Sequence, residues 1–213
     1  MVDYPGQPCA VIFTPYCNMN CTYCHNYHIL GKDAQLIEEE TVFSYLQKRK
    51  GMLKAVVVSG GEPTLQPKLQ EFLANVRELG YQIKLDTNGG KPDVLKTLLD
   101  AHLLDYVAMD LKTSPAEYAA VTRSAVSVED VKRSIFYLRN SGIDHEFRTT
   151  FAPQISKEDV LAAVKLISGT QHYYLQQYRK RFDDDPEPHK PSYVNETADA
   201  VREKLGVCTV RGM

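Results

Sequence analysis

Ala55-Val56-Val57-Val58-Ser59-Gly60-Gly61-Glu62-Pro63-Thr64 decides how the rest of the chain reads. An apolar, β-branched run without polar alternation is what a strand covered on both faces shows. The run stops at a Gly-Gly turn, and apolar positions at helical spacing follow over Lys68–Leu79, with Gly80 as the stop. Strand, turn and helix make one parallel βα unit. Five more units fit the same pattern. Their strands are Ala10–Phe13, Gln82–Asp86, Tyr106–Asp110, Glu146–Phe151 and Tyr173–Gln177. Their helices are Glu38–Lys50, Pro92–Ala101, Val128–Asn140, Lys157–Ile167 and Glu196–Leu205. Thr64, Ser127 and Ser156 are the expected caps, Gly142 a second stop, and Pro92 suits a first helical turn, where its missing N–H has no partner to lose.

Right-handed βα units curl toward a barrel, but a closed one takes eight units and about 250 residues. Six units predict an α/β fold of the open, partial (β/α)6 barrel type. No internal repeat divides the chain, so residues 1–213 read as a single domain. Arg179–Pro191, with three consecutive aspartates and three prolines, reads as a surface loop, and the C-terminal helix and tail complete residues 179–213.

At 213 residues and 43% apolar content the chain has the material for a core that buries about 70–75% of its unfolded surface. Lys plus Arg (25) and Asp plus Glu (27) are spread along the chain for a net charge of −2, so no basic face points to nucleic acid. No leader pattern and no run of roughly 20 apolar residues is present, which predicts a cytoplasmic protein without a membrane partner. Five cysteines, three of them within eight residues, suit metal better than a disulfide framework.

Those three lie in Cys17-Asn18-Met19-Asn20-Cys21-Thr22-Tyr23-Cys24, between the first strand and the first helix. Iron–sulfur cubes take one thiolate per iron, and a C-x3-C-x2-C loop can wrap three corners, leaving the fourth iron for a ligand that is not protein. Cys9, before the first strand and at the opposite end from this loop, and Cys208, after the last helix, read as buried structural cysteines. The rival is a Cys3His zinc site with His25 or His28 as fourth ligand, although zinc sites usually pair two C-x2-C hooks and this loop offers one.

Polar chemistry stands at the C-terminal end of successive strands, the active face of such barrels. Gly60 and Gly61 let backbone approach a ligand closely. Leu85-Asp86-Thr87-Asn88-Gly89 and Met109-Asp110-Leu111-Lys112 bring acids and a lysine to the same mouth. Period-two alternation puts Glu146, Arg148 and Thr150 on one face of the fifth strand, so Arg148 is expected in the lumen. Gln176, Gln177 and Tyr178 close the sixth strand with neutral groups suited to a sugar or an adenine edge.

With these residues in place the chain resembles the radical S-adenosylmethionine superfamily, through its C-x3-C-x2-C loop and Gly-Gly-Glu-Pro turn in order. Within it the chain looks like the activating enzymes of glycyl radical proteins, most like activators of anaerobic ribonucleoside-triphosphate reductase. That likeness runs from about Val2 to Arg179, on Asp3-Tyr4-Pro5-Gly6, Cys24-His25-Asn26, Ser59 to Gln66, Asp86 to Gly89, Met109 to Lys112 and Phe147-Arg148-Thr149-Thr150. Two departures stand out: Tyr16 sits where these proteins usually have glycine, and the chain begins abruptly at the Asp-Tyr-Pro-Gly segment.

The resemblance implies a [4Fe-4S] cluster on Cys17, Cys21 and Cys24 and S-adenosyl-L-methionine beside it. Gly60, Gly61 and Glu62 would hold the methionine amino group, Asp110 the ribose and Lys112 the carboxylate, with Asp86 and Thr87 alongside. Arg148 and Gln177 are further candidates for the cofactor wall. In related pyruvate formate-lyase activators the positions of Asp86, Thr87 and Asp110 help form a monovalent-cation site. The implied activity is reductive cleavage of S-adenosylmethionine to a 5′-deoxyadenosyl radical that abstracts hydrogen from a glycine of anaerobic ribonucleotide reductase, with a flavodoxin- or ferredoxin-type electron donor. Alternatives are activation of another glycyl radical enzyme, a small-molecule chemistry like that of 7-carboxy-7-deazaguanine synthase, and a zinc-bound binding module without chemistry.

Overall fold

One sheet of seven parallel strands runs in chain order: β1 Cys9–Thr14, β2 Ala55–Gly60, β3 Gln82–Thr87, β4 Tyr106–Asp110, β5 Asp144–Phe151, β6 Tyr173–Gln177 and β7 Thr209–Arg211. The computed structural model describes residues 3–31 and 34–212. Each strand pairs with its sequence neighbours, and β1 and β7 are the two edges, so the sheet curls without closing. The six expected strands therefore form an open barrel, and β7 extends it by three residues. β7 is too short to carry a readable period, which is why the sequence hides it.

The helices are α1 Glu39–Arg49, α2 Leu69–Glu78, α3 Pro92–Asp100, α4 Tyr118–Thr122, α5 Val128–Asn140, α6 Lys157–Ala163 and α7 Pro191–Leu205. Ser127 caps α5 by accepting from Glu129 N–H, and Ser156 with Asp159 forms a reciprocal capping box on α6. Thr64 is not a cap: it sits inside a 3-10 turn, Pro63–Leu65, whose cap is the Glu62 side chain. α7 begins at Pro191, ahead of the expected Glu196, because proline serves as its first-turn residue. The surface loop accordingly ends at Lys190. The helix expected over Lys157–Ile167 tightens to 3-10 geometry from Val164. α4, at five residues, is below the length that periodicity can reveal.

Strand residues alternate between two interiors. Val56, Val58, Ile83, Leu85, Val107, Met109, Phe147 and Phe151 meet the helices in the main core. The lumen-facing set is different in kind. At the bottom it is a small apolar cluster of Tyr4, Ala55, Val57 and Tyr106, with Cys9 and Val11 against it. Higher up it is charged. Cys9 lies inside β1 rather than before it, at the end opposite the cysteine loop, and is half-buried; Cys208 is buried behind α7. β1, as an edge, is not covered on both faces, and Phe13 is 55% exposed.

Asp3-Tyr4-Pro5-Gly6 is the floor of this lumen. The Tyr4 ring lies 5.9 Å from that of Tyr106, and the Lys84 ammonium donates to the Asp3 carbonyl at 2.6 Å. Burial, with Asp105 and Asp144 nearby, pushes the Tyr4 hydroxyl up to about 12. Removing the ring would leave a void under the charged layer. Tyr4→Ala is expected to lower the unfolding free energy by about 3 kcal/mol, as for other large aromatic truncations. Tyr4→Phe should cost less than about 1 kcal/mol. Denaturant titration of both variants checks this, and equal losses would mean that the hydroxyl, not the ring, holds the floor.

Candidate functional site

The cysteine loop is placed by a backbone contact that admits no side chain. A Cβ on Gly61 would stand 1.8 Å from the Tyr16 carbonyl oxygen, and one on Gly60 would stand 2.4 Å from Thr14 N. Gly60 also has φ +112°. The paired glycines thus serve first to let the β2 turn pass the end of β1, and the contact is sealed by Gly61 N–H to Thr14 O (2.9 Å) and Glu62 N–H to Tyr16 O (2.8 Å). Tyr16 itself is left-handed at φ +66°. Glycine takes that conformation freely, whereas another residue costs about 1–2 kcal/mol there.

Beyond Tyr16 each turn of the loop is tied to a different element. Asn20 N–H donates to Thr122 O of α4 at 2.8 Å, Gln154 to the Thr22 hydroxyl at 2.8 Å, and Asn26 Nδ2 to Gly60 O at 2.7 Å. Met19 and Tyr23 are buried between these ties. The Cys17 Sγ receives Met19 N–H at 3.4 Å and Asn88 Nδ2 at 3.7 Å. Burial pushes the Cys17 thiol up to about 11 and raises that of Cys21 as well.

Glu62 works behind this wall. Its side chain is 1% exposed, and its carboxylate accepts from Thr64 Oγ1 (2.5 Å), Thr64 N (3.2 Å), Thr87 Oγ1 (2.7 Å) and Asn88 N (2.7 Å). Burial still raises the carboxyl despite those donors. Through Asn88 this strut reaches Asn18 (2.7 Å) and the Cys17 sulfur.

A cavity of about 230 Å³ opens at the strand ends, and Cys17, Cys21 and Cys24 share it with Gly60, Gly61, Asp86, Thr87, Asp110, Lys112 and Arg148. Its charged wall is one chain of ion pairs. Lys84 lies 2.9 Å from Asp86 Oδ1; Arg148 donates to Asp86 Oδ2 (3.3 Å) and Asp110 Oδ1 (2.8 Å); Lys112 donates to Asp110 Oδ2 (2.8 Å). Burial works against the Asp110 carboxylate, but Arg148 and Lys112 outweigh it and hold the group below the usual range. Burial likewise disfavours the charged Lys112 and Arg148, and Asp110 more than restores both, with Asp86 assisting Arg148.

The structure brings all but one of the sequence candidates to this neighbourhood. The exception, Gln177, is on the outer face of β6, paired in register with Phe151, and its amide donates to the His189 carbonyl at 3.0 Å. Gln176 takes the cavity wall instead, since alternate residues of a strand point to opposite faces. Glu62 is near but behind the wall. Ser59, Asn26 and Thr150 also line the cavity. Of the zinc-ligand candidates, His25 reaches the rim with Nε2 on the Arg179 carbonyl (2.8 Å), and His28 sits in an exposed turn outside the lining.

Three thiols on one wall, with N–H donors on Cys17 sulfur, suit an iron–sulfur cube. Among the described residues no three His, Cys, Asp or Glu side chains meet at one point as ligands of a single ion do. A cube takes one thiolate per iron, so its ligands ring an object instead of converging. The cation position implied by resemblance does not fit: Arg148 already bridges Asp86 and Asp110, and each carboxylate has a lysine besides. No helix among the described residues is long and apolar enough to cross a membrane.

The chain matches the Radical SAM superfamily over residues 11–167. It is 33% identical over 192 residues to a Methanocaldococcus jannaschii protein that bears the name of a glycyl-radical enzyme activating enzyme, covering 87% of this chain and 79% of that one. It is 29% identical over 139 residues to the 7-carboxy-7-deazaguanine synthase of Thermococcus kodakarensis, covering 65% of this chain and 53% of the synthase. Streptococcus suis SuiB, solved with S-adenosylmethionine bound, superposes with a TM-score of 0.72 at 15% identity, covering 96% of this chain and 51% of SuiB. The chain therefore spans about half of the last two, and the likeness to SuiB is one of fold. The family match takes in the cysteine loop and the strand ends of β1 to β5, and on that match the chain belongs to the radical S-adenosylmethionine superfamily.

Proposed function

We propose that this chain activates a glycyl radical enzyme, with anaerobic ribonucleoside-triphosphate reductase as its partner and a flavodoxin- or ferredoxin-type protein as electron source. The observation that carries the reading is the one-third identity, over most of both chains, to a relative named for glycyl radical activation. The reductase as target rests on the finer likeness of Asp3–Gly6, Cys24–Asn26 and Phe147–Thr150.

When bound, the cluster and S-adenosylmethionine would supply, with one electron from the donor protein, a 5′-deoxyadenosyl radical for hydrogen-atom abstraction from the target glycine, with methionine as the other product. This chain's residues hold and orient. Cys17, Cys21 and Cys24 would carry three irons. Lys112 would offer a cation to the methionine carboxylate, Asp110 would accept from ribose hydroxyls, and Gly60 and Gly61 would present backbone to the amino group. Arg148 bridges Asp86 and Asp110 and so fixes the positions of both carboxylates on the cavity wall. A walled cavity that excludes water protects a reactive species from side reactions.

A second reading follows from the synthase relative: a small-molecule radical reaction. It is the weaker reading because the match to the synthase covers 65% of this chain and 53% of the synthase, against 87% and 79% for the relative named for glycyl radical activation.

Three outcomes test the proposal. Lys112→Ala and Asp110→Asn should keep the cluster and weaken S-adenosylmethionine binding roughly 10- to 150-fold, the loss of a charge-assisted hydrogen bond worth about 1.5–3 kcal/mol. Unchanged calorimetric titrations for both would remove these residues from the site. Because Arg148 occupies the bridge between the two carboxylates, S-adenosylmethionine affinity should be the same in potassium, sodium and tetramethylammonium chloride at equal ionic strength; a tenfold preference for one alkali cation would restore the cation site. With reductant, S-adenosylmethionine and an anaerobic ribonucleotide reductase, electron paramagnetic resonance should show a doublet on the partner, lost when its target glycine becomes alanine. A doublet formed only on another glycyl radical enzyme would change the substrate and keep the chemistry; no doublet on any, with turnover of a small-molecule substrate, would favour the second reading.

A further inference from the structure

The run Arg179 to Asp185 is part of the Arg179–Pro191 segment that reads in the sequence as a surface loop, yet it folds back onto the end of the cysteine loop. Of its three consecutive aspartates, Asp185 turns inward, with a side chain 9% exposed. Its carboxylate grips the Arg181 guanidinium through two parallel bonds, Nη2 to Oδ1 at 2.8 Å and Nε to Oδ2 at 2.9 Å. Oδ2 accepts three more donors: Arg181 N (2.8 Å), Phe182 N (3.3 Å) and the Tyr178 hydroxyl (3.0 Å). The guanidinium is thereby aimed, and its remaining arm, Nη1, donates to the Cys24 carbonyl at 3.2 Å.

Two further contacts join the same segments. His25 Nε2 donates to Arg179 O at 2.8 Å, and the Tyr27 ring packs 5.4 Å from Phe182, with the Arg181 guanidinium 5.9 Å above Tyr27. Cys17 and Cys21 belong to a stretch braced by Asn88 and by Thr122. Cys24 lies at the loop's far end. Its backbone N–H is satisfied locally by Cys21 O at 3.2 Å, and its carbonyl is held from outside by Arg181.

We propose that Arg181 and Asp185 form a buckle that fixes Cys24 and sets the electrostatic environment of that corner of the cluster. This rests on the reading that Cys24 is a cluster ligand. Both are positioning residues, acting through the Cys24 backbone. The fork geometry matters because a bidentate guanidinium–carboxylate pair holds direction as well as charge, which a lysine does not reproduce.

The test uses anaerobically reconstituted protein and the variants Arg181→Gln, Arg181→Lys and Asp185→Asn. All three should release iron to a ferrous chelator about tenfold faster than the parent, the scale on which outer partners of metal ligands act. The cluster reduction potential should separate them. Arg181→Gln removes a positive charge and should shift it down, Asp185→Asn removes a negative one and should shift it up, and Arg181→Lys should leave it near the parent. Hydrogen exchange without the cluster should quicken at residues 24–30 and stay unchanged in β5 and β6.

Iron release at the parental rate in both Arg181→Gln and Asp185→Asn would overturn the buckle. So would potential shifts of the same sign in those two variants, or exchange that quickens throughout the sheet. A parent protein that takes no cluster, or a Cys24→Ala variant that keeps one, would instead remove the reading of the site, and the exchange result would still report on the buckle.

Discussion

The site depends on a place where two backbones touch with no room for a methyl group. Where β2 ends, Gly60 and Gly61 pass the last residues of β1 so closely that any Cβ would overlap Thr14 or Tyr16. That contact fixes where the cysteine loop leaves the sheet. It also aligns Gly60 O with Asn26 and the Glu62 carboxylate with Thr87 and Asn88. A larger residue would displace β1 from β2, and with it the first cysteine. Side-chain size at these two glycines therefore governs the geometry of a loop that lies far earlier in the chain.

The lumen above Tyr4 is filled with charge where barrels of this class usually stack branched apolar residues. Lys84, Asp86, Arg148, Asp110 and Lys112 alternate in sign across β3, β4 and β5, and each carboxylate meets two cations. Buried charges cost several kcal/mol each unless paired, so losing one member leaves its neighbours exposed to that cost. Glu146 and Arg211 extend the pattern, with two contacts of 2.9 and 3.2 Å, and bring the short β7 into it. The polar wall is thus part of what holds the strands at their spacing.

Much of this is legible in the sequence. Three β-branched residues in succession, as in Val56-Val57-Val58, favour extended backbone over helix, and glycine stops and serine caps likewise carry their geometry in local chemistry. Alternation along β5 is local in the same way, and Arg148 lines the cavity as its period requires. The same alternation excludes Gln177 in favour of Gln176, a distinction that needs the register of β6 against β5. Tyr16 shows why glycine is usual at its position, but the left-handed backbone there comes from contacts that the sequence does not display. Asp185 is hidden among identical neighbours, and Thr122 lies in a helix of five residues. Long-range pairing stays invisible because neither partner marks itself.

Every brace on the cysteine loop runs from protein to protein: Thr122, Asn88, Gly60, Gln154 and Arg181 all hold it by hydrogen bonds. Small zinc domains order only when their metal arrives, so that binding and folding are one event. Here the loop's loss of conformational freedom is borne by the folding of the barrel, through ties to β2, α4 and the segment after β6. The positions of the three cysteines are thereby coupled to the stability of the barrel as a whole, so a change that loosens the sheet far from the loop would also loosen its sulfurs.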